Sequence, residues 1–159
     1  MPEEIKELLV TFSEMTQFAQ SLQEQSEEIW NSSMEPGKWT IKDIVCHIML
    51  WDKYFYDEAI NKIASSKPVT LKHINFDEFN KGAVAYAKTI SIEELIEKTI
   101  FYREKIISDI QAMPADMIVQ NYIDGDGNNF NVIQYVKDFI WHDRHHMIPL
   151  QEYLKANKQ

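Results

Sequence analysis

Basic residues are scarce in this chain, and that scarcity removes a large group of functions. Sixteen lysines and arginines stand against 25 aspartates and glutamates, for a formal charge of −9, and no Lys/Arg-rich run breaks the balance. A surface of that sign repels phosphate backbones and anionic headgroups, so nucleic-acid and membrane-surface binding are not expected. Long apolar runs are missing as well: nothing approaches the roughly 20 residues that span a bilayer. The opening Met1-Pro2-Glu3-Glu4 is acidic and does not read as a signal segment. Cysteine occurs once, as Cys46, which leaves no intrachain disulfide and suits a reducing cytoplasm. Although Cys46 adjoins His47, neighbours on a helix point about 100° apart, so a small buried thiol is expected rather than a ligand or nucleophile. Period-two alternation never lasts more than a few residues, and neither repeats nor low-complexity tracts occur.

What is present is helical periodicity. With 159 residues, 45% of them hydrophobic, the chain suits a single domain over 1–159 with one sizeable core. Four segments carry apolar residues at helical spacing between clear terminal signals. The first runs from about Pro2 to Trp30 and ends in the polar stretch holding Pro36-Gly37. The second opens at Thr40, where Asp43 three residues on forms a capping-box pattern and Trp39 with Ile44 occupies the staple positions. Its apolar face continues through Ile63 and stops at Ser65, Ser66 and Pro68. Ser91 with Glu94 opens the third, which reaches Met113-Pro114; Asn131 with Gln134 opens the fourth, which runs nearly to the end. Pro149 lies inside that last helix and predicts a kink. Between the second and third helices, Asn75 with Glu78 suggests a short helix over Phe76 to Ala87 in a crossover connection. The whole reads as an all-α four-helix bundle with a long crossover.

Polar residues that intrude on the apolar stripes carry the chemical information. Trp141-His142-Asp143-Arg144-His145-His146 places three of the five histidines in one helix. His142 and His146, four residues apart, sit about 40° apart on one face and one turn above each other. That is how a helix offers two imidazoles to one ion. His145 points away, whereas His47 lies on the matching flank of the second helix beside Trp51 and Tyr54. Two such flanks permit a three-histidine site without requiring it. Trp51, Tyr54, Tyr135 and Tyr153 share these flanks and are candidates for the wall of a small apolar cavity. Asp52, Arg103 and Asp143 fall near the middle of three stripes and near mid-bundle. Arg103 has donors for two carboxylates, so these three read either as a buried ion-pair layer or as groups that orient metal-bound imidazoles or bind substrate. Asp124-Gly125-Asp126-Gly127-Asn128 begins like a calcium loop, but Asn129 stands where glycine is needed and Tyr135 where the closing glutamate belongs. It reads as the turn before the fourth helix.

The segment Pro36-Gly37-Lys38-Trp39-Thr40-Ile41-Lys42-Asp43-Ile44-Val45-Cys46-His47, followed by Trp51-Asp52, resembles the second helix of DinB-like proteins. His142-Asp143-Arg144-His145-His146 resembles that family's last helix. The resemblance implies an up-down-down-up bundle with a divalent transition metal, zinc, nickel or iron, held by His47, His142 and His146, and with His145 outside the coordination sphere. It further implies either a thiol transferase using a low-molecular-weight thiol or a metal-dependent hydrolase, acting on a small electrophile in the cytoplasm. A non-enzymatic bundle that binds a small ligand or partner, with a structural metal or none, is the alternative. A homodimer is compatible with a bundle of this size, although no exposed apolar stripe marks an interface.

Overall fold

The computed structural model describes residues 1–157. Its helices are α1 (Glu3–Phe12), α2 (Glu14–Ser21), α3 (Glu27–Trp30), α4 (Ile41–Phe55), α5 (Asn61–Ala64), α6 (Phe76–Ala87), α7 (Ile92–Ala112), α8 (Ala115–Val119) and α9 (Val132–Ala156). A short antiparallel hairpin, β1 (Asn121–Ile123) and β2 (Asn129–Asn131), precedes α9. Local chemistry sets most boundaries. The Thr40 hydroxyl accepts from the Asp43 amide while the Asp43 carboxylate accepts from the Thr40 amide, a complete capping box. Asn75, Ser91 and Asn131 each accept the amide three residues ahead, which satisfies a donor that the helix itself leaves open.

The long first helix expected over Pro2 to Trp30 is broken in two places. At Ser13 the hydroxyl turns back to the carbonyl of Val10, and Ser21 does the same to Phe18; such bonds compete with the helical ladder. Gln25 is extended, and Ser26 then caps the separate turn α3. In the second segment a π-turn, Tyr56–Ile60, joins α4 to α5. Its extra residue resets the helical phase so that Ala59, Ile60 and Ile63 still face the core. The hairpin was not expected. Its strands are three residues each, too short to show a period, and Gly127 supplies the positive φ of its turn. Gly125 is required for contact: its amide donates to the Leu71 carbonyl, and a Cβ there would lie 2.9 Å from that oxygen.

The direction of each long helix follows from which of its ends share a cluster. Ile5, Leu9 and Phe12 from the start of the first helix pack with Ile60 and Ile63 from the end of the second. Ile106 and Ile110 from the end of α7, and Val132 and Val136 from the start of α9, complete that cluster. The opposite cluster gathers Phe18 and Leu22, Ile41 to Met49, Leu95 and Ile96, and Met147 and Leu150. The bundle is therefore up-down-down-up, with α6 laid across α4 in the crossover. Between the clusters lies one charged layer, Asp52, Arg103 and Asp143, all buried. α9 continues through Pro149, and among the described residues no helix is long and apolar enough to cross a membrane.

Candidate metal centre

His47 sits in the second turn of α4, and His142 and His146 sit one turn apart near the middle of α9. The capping box fixes where α4 starts and so fixes the rotational position of His47. Contact between α4 and α9 closes the gap. Ring centroids are 5.2 Å apart for His47 and His142, 5.2 Å for His47 and His146, and 4.8 Å for His142 and His146. One ligating nitrogen from each lies within 4.8 Å of the others. The Nε2 atoms of His47 and His142 approach to 3.2 Å. As the helical spacing implied, His145 turns outward, stacked on Trp141 at 5.2 Å, and His73 packs on Phe76 in the crossover.

The environment keeps the three imidazoles neutral. Burial and the adjacent His142 and His146 push the His47 pKa down to about 3, with Asn80 pulling the other way. Burial, His145 and Arg103 bring His142 to about 4. Burial, His142 and His145 bring His146 to about 4 against the pull of Asp143. Three neutral imidazoles whose ring nitrogens converge from two helices form a donor set that fits a borderline divalent ion such as zinc, nickel or iron. Cys46 contributes nothing to it: the thiol is buried, and burial followed by Asp43 pushes its pKa up to about 11.

Asp52, Arg103 and Asp143 meet as a closed layer. Arg103 Nε and Nη2 donate to Asp52 at 2.9 and 3.1 Å, Nη1 and Nη2 to Asp143 at 2.7 and 3.1 Å, and Nη1 to the Phe12 carbonyl at 2.9 Å. The guanidinium carbon stands 3.8 Å from the Phe12 ring centroid. All five donors are thereby used. Neither carboxylate hydrogen-bonds a histidine, and the Nδ1 atoms of His47 and His142 are buried without a partner among the described residues. Asp52, Arg103 and Asp143 form a buried ion-pair layer, and no hydrogen bond runs from it to the imidazoles. Burial pushes Asp52 up to about 6, with Arg103 holding it back. Burial also works against the Arg103 charge, but the two carboxylates more than offset it and raise its pKa.

Two cavities adjoin the histidines, and Trp39 and His146 line both. One, of about 500 Å³, is walled by aromatic rings, including Trp51, Phe55, Phe76, Phe139 and Trp141, and opens onto His47 and His142. The other, of about 1100 Å³, carries Glu35, Lys38, Glu152 and Tyr153. Of the four expected wall residues, Trp51 and Tyr153 line cavities on different sides of the triad. Tyr54 lines neither and bonds the Lys72 backbone instead. Tyr135 is 4% exposed and packed among Phe12, Phe55, Phe130 and Phe139. Its flank of α9 is covered by the hairpin residue Phe130, which the sequence reading did not place there. Trp39, 5.1 Å from His47, was legible only as a staple. Phe79, stacked on Trp51 at 4.0 Å, and Asn80 were missed because nothing in the crossover sequence gives the side of α4 on which α6 lands.

A family profile described as the DinB superfamily matches residues 9–148. No curated protein matches the sequence. Among solved structures, YfiT from Bacillus subtilis, described as a probable metal-dependent hydrolase with an unusual four-helix bundle topology, superposes with a TM-score of 0.77. It shares 11% identity over 98% of this chain and 89% of its own. A mycothiol-dependent maleylpyruvate isomerase superposes with a TM-score of 0.70 at 13% identity, over 94% of this chain and 61% of the isomerase. At such identities the likeness is one of fold.

Proposed function

This chain belongs to the DinB superfamily, and from that premise we propose that it is a metal-dependent enzyme acting on a small electrophile, with His47, His142 and His146 as ligands. The observation that carries the reading is the convergence of three neutral imidazoles, within 4.8 Å of one another, at the meeting of two cavities. Three protein ligands leave positions for an exogenous molecule, as in catalytic rather than closed structural sites. Held by His47, His142 and His146, a divalent transition ion would supply Lewis acidity toward a thiol or water nucleophile or the group under attack.

The chain's own residues do the rest. Burial keeps all three imidazoles neutral at neutral pH, so loading requires no net release of protons from them. Trp51, Phe76, Phe139 and Trp141 exclude water and bind the apolar body of the electrophile. Glu35, Lys38 and Glu152, on the other side, suit the charged groups of a low-molecular-weight thiol or a polar hydrolytic substrate. Transfer and hydrolysis differ only in which nucleophile enters. Residues 1–159 act as one unit in this reading, and the buried, inert thiol of Cys46 suits a cytoplasmic setting.

Elemental analysis of untagged protein offered zinc, nickel and iron tests the site. One ion per chain is expected, lost in both His47→Ala and His142→Ala; no uptake sinks the proposal. Turnover then separates an enzyme from a binder. Metal-dependent consumption of a thiol with a chlorinated arene or epoxide, or of a hydrolysable ester or amide, is expected. Bound metal with no turnover across that panel favours a ligand-binding bundle.

A further inference from the structure

Two buried polar atoms beside the triad lack partners and lie on neighbouring side chains. His47 Nδ1 and Asn80 Oδ1 are both buried without a hydrogen-bond partner among the described residues. Both residues line the aromatic cavity. Asn80 follows Phe79, whose ring stacks on Trp51 at 4.0 Å and meets the His47 ring edge-on at 6.5 Å, so α6 is seated directly over this part of α4. A buried polar atom left unpaired keeps its full desolvation penalty, so two of them on adjacent side chains call for a partner. The terminal amide of Asn80 turns about a soft torsion, so its orientation is the adjustable part of this pair.

We propose that Asn80 is a positioning residue: its Oδ1 accepts the Nδ1 proton of His47 and so holds the Nε2 lone pair free and aimed at His142 and His146. The sense of the interaction agrees, because the Asn80 side chain raises the His47 affinity for a proton, as an oxygen facing a ring N–H does. Proton accounting in the metal-free protein follows. The 3.2 Å contact between the Nε2 atoms of His47 and His142 needs one donor. With the His47 proton on Nδ1, that donor is His142, whose own Nδ1 has no partner. His47 is thus preset as a ligand, whereas His142 changes tautomer on loading by moving a proton from Nε2 to Nδ1, with none released. The crossover helix, which carries no ligand, therefore orients one of the three.

Nitrogen-15 NMR of the imidazoles in metal-free protein tests this without relying on any metal. His47 is expected as the Nδ1–H tautomer and His142 as the Nε2–H tautomer. Asn80→Leu, of similar volume, should shift His47 toward Nε2–H and weaken zinc affinity by about 10- to 100-fold in chelator competition. Asn80→Asp, which keeps the acceptor, should retain both. His47 found as Nε2–H in the parent protein overturns the proposal, whether or not the variants fold. So does equal loss of zinc affinity in Asn80→Leu and Asn80→Asp, which marks Asn80 as packing only. If zinc is never bound, the ligand reading fails but the tautomer result still decides the role of Asn80.

Discussion

Loading the triad at mildly acid pH should release almost no protons. Exposed histidines with a pKa near 6.5 would be about three-quarters protonated at pH 6, so three of them would give up roughly 2.3 protons on binding a divalent ion. Here His47 is pushed down to about 3 and His142 and His146 to about 4 by burial and by one another. At pH 6 the three together then carry on the order of 0.02 proton. Titrating zinc into the protein at pH 6, by calorimetry in two buffers of different ionisation enthalpy, counts the protons directly. Working at pH 6 also limits any contribution from a water ligand, which ionises nearer pH 7. Release of two or more protons would refute the claim that burial holds the site neutral. The same depression has a signed effect on stability. Above pH 6.5 folded and unfolded chains both carry neutral histidines, so there is no contribution. As pH falls from 6.5 toward 4 only the unfolded chain takes up protons, and stability of the metal-free protein is lost. The well-buried His47 alone accounts for roughly 1.4 kcal/mol per pH unit in that window.

Arg103→Met leaves Asp52 and Asp143 buried without their cation and should cost about 3 to 5 kcal/mol in urea unfolding at pH 7. A loss below about 1 kcal/mol would show that the layer is not a closed ion network. Cys46, with its thiol pushed up to about 11 from an ordinary value near 9, holds about 100-fold less thiolate at pH 7.5. Iodoacetamide should therefore label the native chain at least that much more slowly than the unfolded one, as followed by mass spectrometry. Equal rates would place Cys46 at an accessible, reactive position.

Features set by neighbours along the chain were readable, and those set by docking were not. Thr40 with Asp43, Ser91 and Asn131 mark helix starts because a cap is a contact between residues three apart. His47, His142 and His146 could be placed on facing flanks because helical phase follows from a fixed start. Asp52, Arg103 and Asp143 could be expected together because a charge inside an apolar stripe has to find its opposite. The first helix leaves helical geometry at Gln25, which no periodicity signals, and the Ser13 and Ser21 hydroxyls bond back to carbonyls along the way. Tyr135 reads as a cavity wall because the stripe gives its angle but not what covers it, which is a set of rings from three other elements, Phe12, Phe55 and the hairpin's Phe130. Asn80 and Phe79 were invisible for the same reason, since the landing side of α6 is a tertiary fact.

The charged layer also acts as an alignment pin. Apolar ridges tolerate slippage, and α9 moved by one turn against its neighbours α1, α2 and α4 could still bury apolar side chains on apolar side chains. That slip of about 5.4 Å would strand Asp143 away from Arg103, whose five donors admit only one arrangement of their acceptors. Because Asp143 is joined directly to His142, with His146 one turn further on, the same pin fixes the height of both histidines opposite His47. Placement of the triad is thus dictated in part from α7, a helix that supplies none of its nitrogens.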